Sequence, residues 1–378
     1  MPRRFGISVL YALLALALTC EAGATDFRGR QFIGMTNLTA FAREQRGSEI
    51  ILSSPRLSSK IDWTELIVSW NVQASPEAYL KIEARGVYPD HATKFYTLAL
   101  WSPEATEHPR ESVNSQKDSD GDVLTDTLAL KRSGAEIELR VALGASSNAP
   151  LPNLKFIGCS FCDTRMNPAP LPPNKLAWGK SIPVPERSQM AYPGGEVWCS
   201  PASTSMALAH WASLLHRPEL SREVSAVAKA VFDKNWPGTG NWPFNTAFAG
   251  SFSGMRAYVT RLSDLSELED WIAKGIPVIA SVSYNVLKGT DKRPGDGHLV
   301  VCVGFTQEGD PILNDPGVRE HVRRVYSREN FAKAWAHSQQ TVYLLHPEDA
   351  DIPADRFGHW FAPASQSGAA KDYSASAR

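Results

Sequence analysis

Three residues able to run acyl-transfer chemistry follow one another along the chain. Cys199 stands just ahead of a run that reads as a helix, His298 opens an apolar strand, and Asp315 ends a short strand at a turn. A thiol at a helix start meets unpaired backbone N–H groups and the positive end of the helix dipole, and both favour the nucleophilic thiolate. A histidine can take and return the proton, and a carboxylate can orient the imidazole. If the strands carrying His298 and Asp315 pair antiparallel, the carboxylate returns beside the ring. Gln189, an uncharged amide upstream of the cysteine, is the best side-chain candidate for an oxyanion donor, alongside the Cys199 backbone N–H. Trp198, Trp236 and Trp242 are candidate substrate-binding walls, the last two in the aromatic, glycine-containing loop 235–244. Cys302 is a rival nucleophile only in name. It lies mid-strand in an apolar stretch, as a buried inert thiol does.

The elements that must hold these residues differ between the two halves. Pro201 suits the first turn of a helix, Met206, Ala209, Trp211 and Leu214 supply an apolar side, and Arg217-Pro218 stops the run. Further helices are expected over 222–232 and 265–274, and strands over 278–284 and from Gly297. The first half has period two instead. Glu136-Ile137-Glu138-Leu139-Arg140-Val141-Ala142-Leu143 alternates throughout, as does Tyr79-Leu80-Lys81-Ile82-Glu83-Ala84-Arg85. Short strands separated by Gly, Pro, Asp and Ser clusters read as an antiparallel sandwich. Its aromatics, Trp63, Trp70, Tyr79, Tyr88, Phe95, Tyr96 and Trp101, read as core rather than as a sugar-binding face. The acidic loop Asp118-Ser119-Asp120-Gly121-Asp122 has the look of a calcium loop, but glycine is fourth rather than sixth and no glutamate stands at twelve, so a polar hairpin turn serves as well. The segment 148–187 is proline-rich and reads as a semi-rigid linker.

The chain has 378 residues, 43% hydrophobic and 21% charged, with net charge −1, enough for two cores and without the basic footprint of a nucleic-acid binder. Arg3-Arg4, an apolar run over 7–18 and Ala22-Gly23-Ala24 form a Sec-type export signal, with periplasmic or extracellular delivery expected. The lipoprotein alternative at Cys20 is weaker, because Thr19 is a poor residue before a lipidated cysteine. No later apolar run is long enough to span a membrane. In an oxidising compartment Cys159 and Cys162 could close a disulfide, leaving Cys302 as a buried thiol. A lone CxxC is too few ligands for a structural zinc.

Taken together, Gln189, Trp198-Cys199-Ser200-Pro201, Gly297-His298 and Asn314-Asp315-Pro316 resemble the C39-like branch of the papain-fold cysteine peptidases. The resemblance covers roughly 182–346 and includes Trp242-Pro243-Phe244-Asn245 and Gly275-Ile276-Pro277-Val278. It implies a papain-like fold, with Cys199 as nucleophile, His298 as base and acid, Asp315 as orienter and Gln189 as oxyanion donor. The gap from Gln189 to Cys199 is ten residues where papain-like sites have about six, a difference the loop Tyr192-Pro193-Gly194-Gly195 has to absorb.

The expected fold is therefore α+β: a papain-like domain, a helix packed on an antiparallel sheet, over 188–348, preceded by an all-β sandwich over 25–147. A signal peptide over 1–24, the linker over 148–187 and a flexible tail over 349–378 complete the expected division. The expected activity is hydrolysis of an amide bond in a peptide or protein substrate, with the cell envelope a candidate source, and with no metal or organic cofactor. A cell-wall amidase or acyl transferase would use the same triad, and a non-catalytic secreted binding protein is the alternative of a different class.

Overall fold

Alternating strands dominate the first half of the chain because its apolar residues recur every second position. The structure is a computed structural model that describes residues 27–146, 148–290 and 297–357. The ten strands are β1 (Arg30–Met35), β2 (Ala42–Arg46), β3 (Glu49–Ser53), β4 (Glu65–Gln73), β5 (Ala78–Val87), β6 (Tyr96–Trp101), β7 (Gly121–Leu124), β8 (Thr127–Leu130), β9 (Glu136–Ala145) and β10 (Asn153–Cys162). They form two five-stranded antiparallel sheets, ordered β1-β10-β4-β8-β7 and β2-β3-β9-β5-β6. Leu66, Val68 and Trp70 from the first sheet meet Ile82, Ile137 and Val141 from the second in one core. Trp63, Trp70, Tyr88, Tyr96 and Trp101 are buried there, so most of the aromatics are core, as their size demands.

The second half begins with α1 (Cys199–Leu214), α2 (Val224–Val231) and α3 (Trp242–Ala249). Then come β11 (Met255–Arg261), α4 (Leu265–Ala273), β12 (Val278–Ser283), α5 (Tyr284–Leu287), β13 (Gly297–Phe305), β14 (Pro311–Asn314), β15 (Arg323–Val325), α6 (Arg328–Ala336) and β16 (Thr341–Pro347). Its strands make one six-stranded antiparallel sheet, β11-β16-β12-β13-β14-β15. The molecule is thus α+β with antiparallel sheets, and no described helix is long and apolar enough to cross a membrane.

α1 lies across this sheet and is buried on all sides from Ser200 to Ala212, not along one stripe. Its small residues permit the close approach, and its hydroxyls are satisfied internally. Ser203 donates to the Leu299 carbonyl at 3.1 Å, and the Ser200 and Tyr343 hydroxyls pair at 2.9 Å. The helix ends where Arg217-Pro218 implied, with His216 turned left-handed at φ 54°.

Three expectations need correction, and the acidic loop takes the polar-turn form that the sequence also allowed. Residues 153–162 fall inside the proline-rich segment 148–187, yet they form β10, which pairs with both β1 and β4 at the centre of the first sheet. The prolines flank this stretch and none interrupts it, so Leu154 to Cys162 are free to alternate. Cys159 and Cys162 are not a disulfide, and every described cysteine is a free thiol. Three positions along an extended strand separate Cα atoms by ~10 Å, beyond the ~7 Å limit of a bridge. The acidic turn is held by protein donors. Asp118 accepts from the Tyr96 hydroxyl at 2.5 Å and from the Asp120 and Gly121 backbone N–H groups, with Lys94 Nζ at 3.0 Å. The start of the expected flexible tail is docked, for Arg356 pairs with Asp270 at 2.6 Å and Lys274 with Asp351 at 2.6 Å. The export signal over 1–24 and the remainder of the tail lie outside the described residues.

The first sheet is buried on both faces, because its outer side packs on the second half. Phe32, Ile67 and Phe156 belong to the same core as Trp211, Ala257 and Tyr258. Asn71 completes the seam. Its amide donates to the Ala257 carbonyl at 2.6 Å and accepts from the Ala257 N–H at 3.2 Å, standing in for a strand at the edge of β11.

Candidate active site

The N-terminal end of α1, the start of β13 and the turn after β14 meet at one point. β13 and β14 pair antiparallel, with Val301 opposite Asn314 and Cys302 opposite Leu313. This register returns Asp315 to His298, whose Nε2 lies 2.8 Å from Asp315 Oδ1. Both residues are buried, Asp315 fully. With Nε2 committed, Nδ1 is the nitrogen left for the Cys199 thiol, to which the ring is hydrogen-bonded.

No side chain caps α1: Trp198 occupies that position with an apolar ring. The first-turn N–H groups therefore face the thiol rather than a capping oxygen. Burial pushes the Cys199 thiol up. The hydrogen bond and charge of His298, with the Leu299 and Ser200 backbone N–H groups, outweigh it and hold the thiol below its ordinary range. For His298, burial works downward, but hydrogen bonds to Asp315 and Cys199 raise it to about 9. Both shifts favour a thiolate–imidazolium pair at neutral pH.

Asp315 has more partners than the chain order suggested. Burial raises its carboxyl, while the hydrogen bond and charge of His298 and further donors lower it below the usual range. The Tyr326 and Tyr284 hydroxyls donate to Oδ2 at 2.5 and 3.2 Å, and the Gly317 N–H donates to Oδ1 at 2.9 Å. Tyr284 also lies over the His298 ring, centroids 4.1 Å apart. Gly317 has to be glycine, since a Cβ there would sit 2.9 Å from the Tyr284 hydroxyl and 3.0 Å from His298 Cε1. The tyrosines were not singled out in the sequence. Tyr284 had a signal: β12 pairs with β13 so that Val282 faces His298, and Tyr284, two residues further on, lies diagonally from the ring it covers. Tyr326 had none, because its partner is across a separate strand.

Gln189 is 3% exposed, in a 3-10 turn anchored to the Asp315 loop by its backbone N–H on the Pro316 carbonyl at 3.0 Å. Its Nε2 donates to the Glu196 carbonyl at 2.6 Å, and its Oε1 has no partner. One amide hydrogen is thus spoken for and the second remains. Gly195 allows this turn to close against the Gln189 carbonyl, which takes up the longer gap to Cys199.

The three tryptophans part company. Trp198 is half-buried at the head of α1, 6.1 Å from the Tyr192 ring. Trp242 opens α3, packs against the second core, and its backbone N–H bonds to Asp126 Oδ2 at 2.8 Å. Trp236 is 45% exposed, with its ring over Gly238 and Gly240. Cys302 is fully buried, its thiol pushed up to about 12 by burial. Among the described residues no cluster of three His, Cys, Asp or Glu side chains is placed to hold a metal.

Comparison with known proteins covers both halves. The Peptidase C39-like family matches residues 181–343, and the Peptidase C39 N-terminal domain matches residues 45–161. No curated protein matches the chain. Among solved structures, infectious bursal disease virus Gx strain is 12% identical with TM-score 0.20, over 35% of this chain and 32% of that one. The xylan-binding module CBM15 is 14% identical with TM-score 0.17, over 35% of this chain and 92% of that one. The chain spans about a third of the first of these, and likeness at this level carries no argument. The order of the two domain matches, with a C39 N-terminal domain ahead of a C39-like domain, identifies the chain as a member of the Peptidase C39-like family.

Proposed function

We propose that this protein is an exported cysteine peptidase, delivered by the signal over 1–24. In this reading the sandwich, with β10 as a strand of its first sheet, supports a papain-like catalytic domain over 188–348. The observation that carries it is the His298 ring held between the Cys199 thiol and Asp315. Cys199 thiolate attacks the carbonyl carbon of a peptide amide. The developing oxyanion is met by the Cys199 backbone N–H, in the first turn where the helix supplies no acceptor, and by the free amide hydrogen of Gln189. His298 donates its Nδ1 proton to the leaving amine, which departs as the thioester forms. Water, deprotonated by His298, then releases the acid and the thiol. Asp315 keeps the ring oriented and stabilises its charged form, and Trp198 flanks the nucleophile as a substrate wall.

The test is the rate of iodoacetamide alkylation across pH, with each cysteine read separately by mass spectrometry. Cys199 should react near neutral pH while Cys159, Cys162 and Cys302 do not, and His298→Ala should slow Cys199 and abolish peptide turnover by at least about a hundredfold. A Cys199 no faster than an ordinary thiol overturns the reading.

A further inference from the structure

A groove of about 980 Å³ runs between the sandwich and the helical side of the second half. One wall is made by α2 and α3, the other by the end of β4 and the loop after β6, and Trp198, the residue before Cys199, lines it. The volume is at the upper end for a ligand site and suits several residues of an extended chain. Its charges are unbalanced. Arg222 and Lys229 stand exposed in the lining, and neither has a carboxylate partner among the described residues. Glu104, the carboxylate of the lining, instead lies in the field of Arg110. The Arg110 guanidinium is itself spent on the Ser102, Pro103, Lys229 and Phe232 carbonyls, which fastens the sandwich to α2. Trp101 also lines the groove, but at 3% exposure it belongs to the sandwich core, where it packs edge-on against Trp70.

The wall is also tied to the site. Asp233 accepts from the Ser112 N–H of the sandwich at 3.0 Å and from Asn241 at 2.9 Å, and in the loop between them Thr239 donates to the Val197 carbonyl at 3.0 Å. The groove therefore ends at the residues that lead into Cys199.

We propose that this groove seats an extended acidic polypeptide, so that the sandwich forms one wall of the channel leading to Cys199. Arg222 and Lys229 attract its carboxylates, and Trp198 and Phe248 pack against its side chains. What happens at Cys199 rests on the peptidase reading; the binding does not.

The test uses the full chain with Cys199→Ala, which binds without turnover. The probe is a fluorescein-labelled decapeptide of alternating Glu and Ala, read by fluorescence anisotropy against its Lys-Ala counterpart. The acidic peptide should bind at least about tenfold tighter and weaken with salt, and Arg222→Glu with Lys229→Glu should cost at least about tenfold. If thermal melting shows that this pair fails to fold, Arg222→Gln with Lys229→Gln should still cost about fivefold. A benzophenone on the acidic peptide should cross-link to the walls at Trp198 or Phe248. Equal affinity for both peptides, no binding, unchanged affinity in the charge variants, or cross-links only elsewhere overturns the proposal. Slow alkylation of wild-type Cys199 would instead remove the peptidase reading and leave the binding result standing.

Discussion

Asp315 and Asp126 are both buried carboxylates, one at the Cys199 end of the second half and one where the sandwich meets it, and their surroundings act in opposite directions. Asp315 is encircled by donors: His298, two tyrosine hydroxyls and the Gly317 N–H. Asp126, in the turn between β7 and β8, has among the described residues only the Trp242 N–H and the Thr127 hydroxyl as donors, at 2.8 and 3.1 Å, and lies in the opposing fields of Arg261 and Asp233. Burial raises both. At Asp315 the partners win and the charge is kept, whereas at Asp126 burial wins and the carboxyl is pushed up to about 6. Burial alone thus does not mark a functional acid; the number and charge of its partners decide which form it holds.

The comparison can be broken most sharply at Asp315. Asp315→Asn removes the charge that supports the imidazolium, and peptide turnover should fall by about a thousandfold. His298 is raised to about 9 in the fold, so its contribution to stability is full below 6.5 and is lost as pH rises through about 9. In Asp315→Asn both that loss and the alkaline limb of turnover should move down toward 6.5, as urea unfolding and rate profiles would read.

Asp126→Asn should behave in the opposite way. The wild-type carboxyl holds its proton more tightly folded than unfolded. Its contribution is therefore full below 3.8 and gone above about 6, a loss of about 3 kcal/mol. An asparagine can still accept from the Trp242 N–H, so the variant should lack this loss and match or exceed wild type at pH 7. A variant less stable than wild type at pH 7 would mean the charge is needed at the junction. The smallest effect expected is that of Tyr326→Phe, which takes one donor from Asp315. Stability should drop by about 1–2 kcal/mol and turnover by about tenfold, with the alkaline limb still present.

Much of the site was legible because its cues are local or follow from one pairing. A thiol before Pro201 at a helix start, and a carboxylate at a turn after a strand that folds back on the histidine strand, require only short-range geometry. The alternation of β5 and β9 likewise reports its own faces. The proline-rich reading of 148–187 hid β10, since composition was weighed there and period was not. The α1 pattern implied one apolar stripe, because small residues such as Ser203 and Ser205 read as polar until the surrounding chain supplies the carbonyls they bond.

By itself, then, the amino-acid sequence determined the strand-rich first half, the helix behind Cys199 and the order of Cys199, His298 and Asp315. Each follows from periodicity or from neighbours a few residues apart. Only the tertiary structure decided that Tyr284 and Tyr326 converge on Asp315, that Asn71 closes the edge of β11, and that a cationic groove between the halves ends at Trp198. These depend on side chains brought together from distant stretches by the packing of two cores, and no local pattern encodes which surfaces will meet.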